Sequence, residues 1–185
     1  MIEDVIADAR TRMQKAMEAL QRELTTVRTG RASPALVERV SVEQYGTEMP
    51  LNQLASIAAP EARMLTVTPW DKSAIGAIEK AIRRSELGLN PTNDGALIRI
   101  SIPPLTEERR RAMVKIVHTK VEEGKVAVRN IRRDAMAQAK EFRDEKMISD
   151  DDERRAEHQI QELTNKFIAQ ADQIGKDKER EVMEV

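Results

Sequence analysis

Three arginines stand close together in the segment VAVRNIRRDA (126–135), at Arg129, Arg132 and Arg133, with no acid between them. Each guanidinium is permanently charged, planar and rich in donors, so it binds phosphate oxygens in pairs and stacks on bases. A row of them is suited to nucleic acid. The competing reading is an ordinary solvated helix face, and the surrounding charges bear on the choice. From Arg109 to Arg133 nine bases (109, 110, 111, 115, 120, 125, 129, 132 and 133) face two acids, Glu122 and Glu123, a local balance of +7 in a chain of formal net charge -1. From Asp134 onward acids outnumber bases.

On a helical wheel Arg111, Lys115, Lys125, Arg129, Arg133, Lys140 and Arg143 fall within a sector of roughly 80°, with His118 among them. Arg132 lies where that sector meets the apolar seam. Most acids of the helix (Glu108, Glu123, Asp134, Glu141, Asp144 and Glu145) lie toward the far side. A solvated helix intersperses the two signs, because opposite charges four residues apart help it and like-charge rows do not. Basic stripes on near-neutral proteins are a footprint of nucleic-acid binding, though other acidic partners also fit one.

Other chemistries find less support. There is no G-x-x-x-x-G-K-[ST] phosphate loop and no nucleophile elbow. His118 and His158 fall on different predicted helices, without an H-E-x-x-H motif, and read as surface histidines. Trp70 reads as a packing residue beside the central helix, since base-stacking platforms usually bring more than one aromatic. The chain has no Cys, hence no disulfide framework and no thiolate metal site, as suits a reducing cytosol. Its start, MIEDVIADAR, has neither the apolar run of a signal peptide nor the acid-poor composition of a transit peptide. No stretch approaches a membrane span. The composition predicts a soluble cytoplasmic protein, and with no such motif in the chain no cofactor, metal or small-molecule substrate is expected.

The prolines organise the elements that must hold the arginine row. All seven (34, 50, 60, 69, 91, 103 and 104) lie in the middle of the chain, which leaves both flanks free for long helices. In the first flank Ile2, Ile6, Ala9, Met13, Ala16, Leu20, Leu24 and Val27 form an amphipathic stripe, and Gly30 is the expected stop. The second flank opens on PPLTEERRR, with Thr106 as N-cap, and carries a stripe of Met113, Val117, Val121, Val128, Ile131, Ala135 and Phe142. Ser149 restarts the signal ahead of Asp150 to Asp152, followed by Ala156, Ile160, Leu163, Phe167, Ala171, Ile174 and Val182. Three such stripes bury each other best as a bundle.

The middle reads as α/β. LVERVSVEQYG, LASIAA, MLTVTPW and ALIRISI are strand-like, and Asp71 caps a helix over KSAIGAIEKAIRRSEL that buries Ile75, Ile78 and Ile82 and closes at Gly88. The expected fold class is therefore α+β: a long three-helix bundle from 1–30 and 106–185, interrupted by a smaller β/α/β sandwich domain at 31–105. The chain crosses between the two twice, near 30–34 and 103–105. Gly30 can absorb large backbone changes, while Pro103 and Pro104 keep the second crossing free of ladder bonds. With Ser33 and Pro34 they make a candidate hinge.

The blocks VRTGRASP (27–34), LGLNP (87–91), PPLTEERR (103–110) and VAVRNIRRDA (126–135), in this order and over this length, resemble the signature stretches of the ribosome recycling factor family. The resemblance covers the whole chain. It implies an L-shaped bacterial translation factor, a three-helix bundle joined to a smaller β/α/β domain by a two-stranded hinge. Such a factor binds the 70S ribosome after termination, resting its bundle on large-subunit rRNA. With elongation factor G, which meets the smaller domain, and GTP, it splits the subunits and frees mRNA and tRNA. Initiation factor 3 then keeps the subunits apart. The factor itself hydrolyses nothing and is expected to be a monomer. The family's important arginines map to Arg129 and Arg132 within VRNIRRD; charge and position extend the same surface to Arg28, Arg31, Lys125 and Arg133. A helical adaptor or chaperone that meets an acidic protein remains the alternative, with an RNA-modifying enzyme a distant third.

Overall fold

The computed structural model describes residues 1–27 and 29–184. Arg28, one of the candidate phosphate ligands, lies outside the described residues. The chain divides into two compact units, Met1–Thr29 with Glu107–Glu184, and Gly30–Thr106.

The first unit is built from α1 (Ile2–Leu24), α3 (Glu107–Asp144) and α4 (Asp150–Met183), each packed on the other two. Helix α3 has 38 residues, so at about 1.5 Å per residue it is roughly 57 Å long. Ala9, Met13, Met17, Leu20, Val117, Val128, Ile160, Phe167 and Ala171 form the centre of one continuous aliphatic core. The α1 seam is carried by Val5 and Met17 as well as the expected positions, while Ile2, Ile6 and Ala16 are only partly buried. Gly175 allows a close approach of α4 to α3. A Cβ there would lie 2.6 Å from Val121 Cγ2, so only a residue without a side chain lets α3 and α4 meet at this height.

Helix α1 ends at Leu24, short of the expected stop at Gly30. The Thr25 and Thr26 hydroxyls donate to the Arg22 and Glu23 carbonyls at 2.6 and 2.7 Å, satisfying groups that another helical turn would otherwise have to pair. Between α3 and α4 the sequence signal is accurate. Ser149 Oγ accepts from the Asp152 amide and Asp152 returns a bond to the Ser149 amide, a reciprocal capping box. Just before it, Lys146 adopts φ 59, with Met147 N–H donating to Phe142 O and Lys146 N–H to Arg143 O. That pair of bonds is a Schellman closure.

The second unit holds β1 (Ser41–Gln44), β2 (Thr47–Pro50), β3 (Ala55–Glu61), β4 (Met64–Pro69), α2 (Ile75–Arg84), β5 (Pro91–Asn93) and β6 (Ile98–Ser101). Strands β1 and β2 form a hairpin, and the other four make an antiparallel sheet in the order β3-β4-β6-β5. Helix α2 packs against β1 and β5. Its Ile78 and Ile82 join Val37, Val42, Leu51, Leu65, Val67, Ile98 and Ile100 in a fully buried core. Asp71 accepts from the Ser73 amide, as its capping role requires, but the turn it starts (Lys72–Ala74) is 3-10 before α2 begins. Ser85 ends α2 early: its backbone turns extended, and its hydroxyl donates to Ile82 O at 2.6 Å.

Strands β2 and β5 went unread in the sequence because they are short and mostly exposed, so no apolar alternation marks them. Trp70 departs from expectation too. It is 68% exposed: its neighbour Pro69 takes the buried position at the end of β4, and strand alternation turns the indole outward.

Candidate nucleic-acid interface

Helix α3 carries the arginine row, and α4 decides which of its cations remain uncompensated. Arg133 is exposed and, among the described residues, meets no acid. Its neighbour Asp134 is turned to α1, where it accepts from Arg12 at 2.9 Å. Thus the acid that follows the row in sequence is engaged elsewhere in space.

Arg132 is half-buried, as its place beside the apolar seam implies. It reaches α4 without meeting a carboxylate: its Nε–H donates to Gln161 Oε1 at 2.7 Å. The Gln161 amide in turn donates to Asn165 Oδ1 at 2.9 Å. A neutral acceptor satisfies one of the five guanidinium donors while leaving the charge uncancelled. Arg129 is exposed and contacts Glu122 at 3.2 Å, two turns back along the same helix. An exposed pair of this kind is weak, about 0–1 kcal/mol, and exchanges readily for a stronger anion.

Lys125 lies in different surroundings. It is half-buried and paired with Asp172 of α4, so its charge is compensated within the bundle. Other members of the wheel sector divide the same way. Arg111 pairs with Glu107 and His118 with Glu179, whereas Lys115 and Lys140 are exposed and meet no acid among the described residues. Arg143, at the far end of α3, binds Asp144 at 2.8 Å and Glu153 of α4 at 3.1 Å. The hydrogen bond that it donates to Asp144, and then the charge of Glu153, hold its guanidinium above the ordinary arginine range. The sequence could rank which residues share a face; it gave no sign of Gln161, Asn165, Asp172 or Glu153 as their partners.

Arg31, at the start of the second unit, is exposed and has interactions of its own. Gly30 has φ +76, and a Cβ there would touch Leu105 at 3.5 Å, so these two residues of the second unit lie close together. Ser33 and Pro34 start a 3-10 turn, Pro34–Leu36, in which Val37 N–H donates to Pro34 O. Pro103 and Pro104 belong to no helix or strand and follow Ile102, which is tied to Arg63 O. Among the described residues no cluster of His, Cys, Asp or Glu could hold a metal ion. No helix among the described residues is long and apolar enough to cross a membrane.

Fold and charge together define a two-unit α+β protein whose helical unit carries, in the middle of α3, two adjacent arginines that meet no carboxylate among the described residues. The family model for ribosome recycling factor matches residues 20–183. The ribosome-recycling factor of Thermomicrobium roseum is 58% identical over 185 residues, and that of Carboxydothermus hydrogenoformans 54%, each alignment covering all of both chains. A solution structure of a ribosome recycling factor superposes with a TM-score of 0.74 at 44% identity, covering all of this chain and 98% of the other. Another similar structure is the T. thermophilus ribosome recycling factor, described with E. coli elongation factor G bound to the E. coli post-termination complex (TM-score 0.64, 49% identity, all of both chains). The chain belongs to the ribosome recycling factor family.

Proposed function

We propose that this protein binds the post-termination 70S ribosome through the arginine edge of α3 and, with elongation factor G and GTP, splits it into subunits to release mRNA and tRNA. The observation that carries the reading is the full-length kinship with a factor described beside elongation factor G on the post-termination complex. The acid-free pair Arg132 and Arg133 supplies the chemistry: uncompensated guanidinium groups on a rigid helix, suited to large-subunit rRNA phosphates. Arg129 joins them by giving up its weak contact with Glu122, and Arg28 and Arg31 are further phosphate ligands on the grounds of their charge and place in the sequence. Lys125 acts behind this row, holding α3 to α4 through Asp172.

The protein works as a monomer in the cytoplasm and hydrolyses nothing itself; the energy of the step comes from GTP on its partner. The smaller unit meets elongation factor G, and the crossings at Gly30, Ser33, Pro34, Pro103 and Pro104 let the two units swing. Because the chain lacks Cys, a cysteine pair engineered to join the units can be oxidised without competing thiols. The locked protein is expected to bind ribosomes but not split them until reduced.

The decisive test is a sucrose gradient of post-termination complexes with elongation factor G and GTP. Subunits should accumulate only when this protein is added. Unchanged 70S particles would overturn the reading, and tight binding to a purified acidic protein in place of ribosomes would favour the adaptor.

A further inference from the structure

We propose that Gln161 is a positioning residue: from α4 it fixes the guanidinium of Arg132 so that its terminal fork faces outward, ready for phosphate. The proposal rests on the reading of Arg132 as an rRNA ligand. A guanidinium has two edges able to form paired bonds, the Nε side and the end bearing both terminal nitrogens. In this structure the Nε–H is taken by Gln161 Oε1 at 2.7 Å. Neither terminal nitrogen meets an acceptor among the described residues, so the end-on fork is left for a ligand.

The orientation of Gln161 is itself determined. Its amide nitrogen donates to Asn165 Oδ1 at 2.9 Å, one helical turn further along α4, and this turns the oxygen toward Arg132. The three side chains thus form a short relay, Asn165 to Gln161 to Arg132, running from one helix to the other. An unheld arginine samples many rotamers, and ordering it at the moment of binding costs entropy. The relay removes part of that cost beforehand.

The chemistry of the acceptor matters as much as its place. Arg143 shows what α4 does where a bundle arginine serves the fold: it presents a carboxylate, Glu153. Opposite Arg132 the same helix presents an amide. A carboxylate would hold the guanidinium more firmly and at the same time cancel the positive field that an incoming phosphate needs. An amide orients the guanidinium and leaves the field intact. Neither residue is predicted by helix propensity, since Gln and Glu are close to equivalent as helix formers.

The test is a double-mutant cycle in the full-length protein, read by its affinity for vacant 70S ribosomes at several salt concentrations and fixed magnesium. Gln161→Met keeps the volume and removes the acceptor; it should weaken binding roughly three- to tenfold in the parent, the range set by the cost of ordering one long side chain on binding. In the Arg132→Ala background the same change should have no effect. Gln161→Glu should weaken binding further than Gln161→Met and make it less sensitive to salt, while its melting temperature stays at or above the parent's. A purely structural role for Gln161 predicts the opposite order, with the carboxylate variant binding best. Equal losses from Gln161→Met in both backgrounds would overturn the proposal, as would parent-like affinity of Gln161→Glu. If Arg132→Ala itself binds like the parent, it is the assignment of Arg132 to rRNA that fails. A loss of affinity in Arg132→Ala with none in Gln161→Met leaves that assignment standing and refutes the positioning role.

Discussion

Helix α3 sends two arginines across to α4, and the two sites are built on opposite principles. At the far end Arg143 meets Asp144 and the buried Glu153, so charge answers charge inside the fold. In the middle Arg132 meets only the amide of Gln161, and Arg133 beside it meets no acid among the described residues. One site spends its electrostatics on holding two helices together. The other keeps it available to an outside anion. The residue type is the same in both; the partner chosen by α4 separates a structural cation from a binding one.

Removing the binding cation should give the largest effect. Arg132→Ala is expected to weaken ribosome binding by about 1.5–3 kcal/mol, roughly 10- to 150-fold, with helix content and Tm nearly unchanged. Equilibrium binding beside circular dichroism checks this. Unfolding of the variant would make Arg132 structural and erase the contrast with Arg143.

A smaller effect should come from reversing Arg133. Arg133→Glu should reduce the slope of log affinity against log salt by about one, the contribution of one phosphate contact. Lys125→Glu should act differently, because it places a carboxylate beside Asp172: its Tm should fall while its salt slope stays close to the parent's. Titrations at fixed magnesium distinguish the two.

At the structural site the expected pattern inverts. Glu153→Gln leaves Arg143 without its cross-helix charge, so Tm should fall by a few degrees with ribosome affinity unchanged. Affinity lost in proportion to stability would mean that the two ends of α3 are not independent.

The smallest effect lies outside the arginine sites and serves as their control. Asp94 accepts from the Leu97 and Ala96 amides and from Arg99, which brings its carboxyl from 3.8 down to about 2. A pKa lowered on folding means that the unfolded chain binds the proton first. The stabilisation is therefore complete above about pH 4 and is lost as pH falls toward about 2. Urea unfolding of the parent and of Asp94→Ala should differ at pH 6 and converge near pH 2, without any change in the contrast between Arg132 and Arg143.

Much of this was legible in the sequence for a definite reason. Long elements with many repeats of one period declare themselves, so the stripes of α3 and α4 and the Ser149 cap could be read directly. The wheel even placed Arg132 at the edge of the seam. What it could not supply was the register of one helix against another. Gln161 stands opposite Arg132 and Asp172 opposite Lys125 in the same register that brings Gly175 against Val121, a relation between distant residues. Local side-chain chemistry caused the remaining misses. Thr25 and Thr26 stop α1 early, and strand alternation at Pro69 turns Trp70 outward.

The bundle is assembled from two separated pieces of chain, and this has a consequence for the order of events during synthesis. Helix α1 is made first, yet every helix it packs on begins at or after Glu107. At about 5–20 residues per second the intervening stretch takes on the order of ten seconds to emerge. Through that interval the Val5, Met13, Met17 and Leu20 face has no partner, while the second unit, continuous in the chain, can complete its own core. When α3 and α4 arrive they close on each other through a short turn, a local contact that forms fast. Docking α1 is then the late step, with its loop closure shortened by the domain already folded between the two pieces. A newborn chain should consequently pass through a stage in which α1 is open to proteases and chaperones although the smaller unit is already resistant.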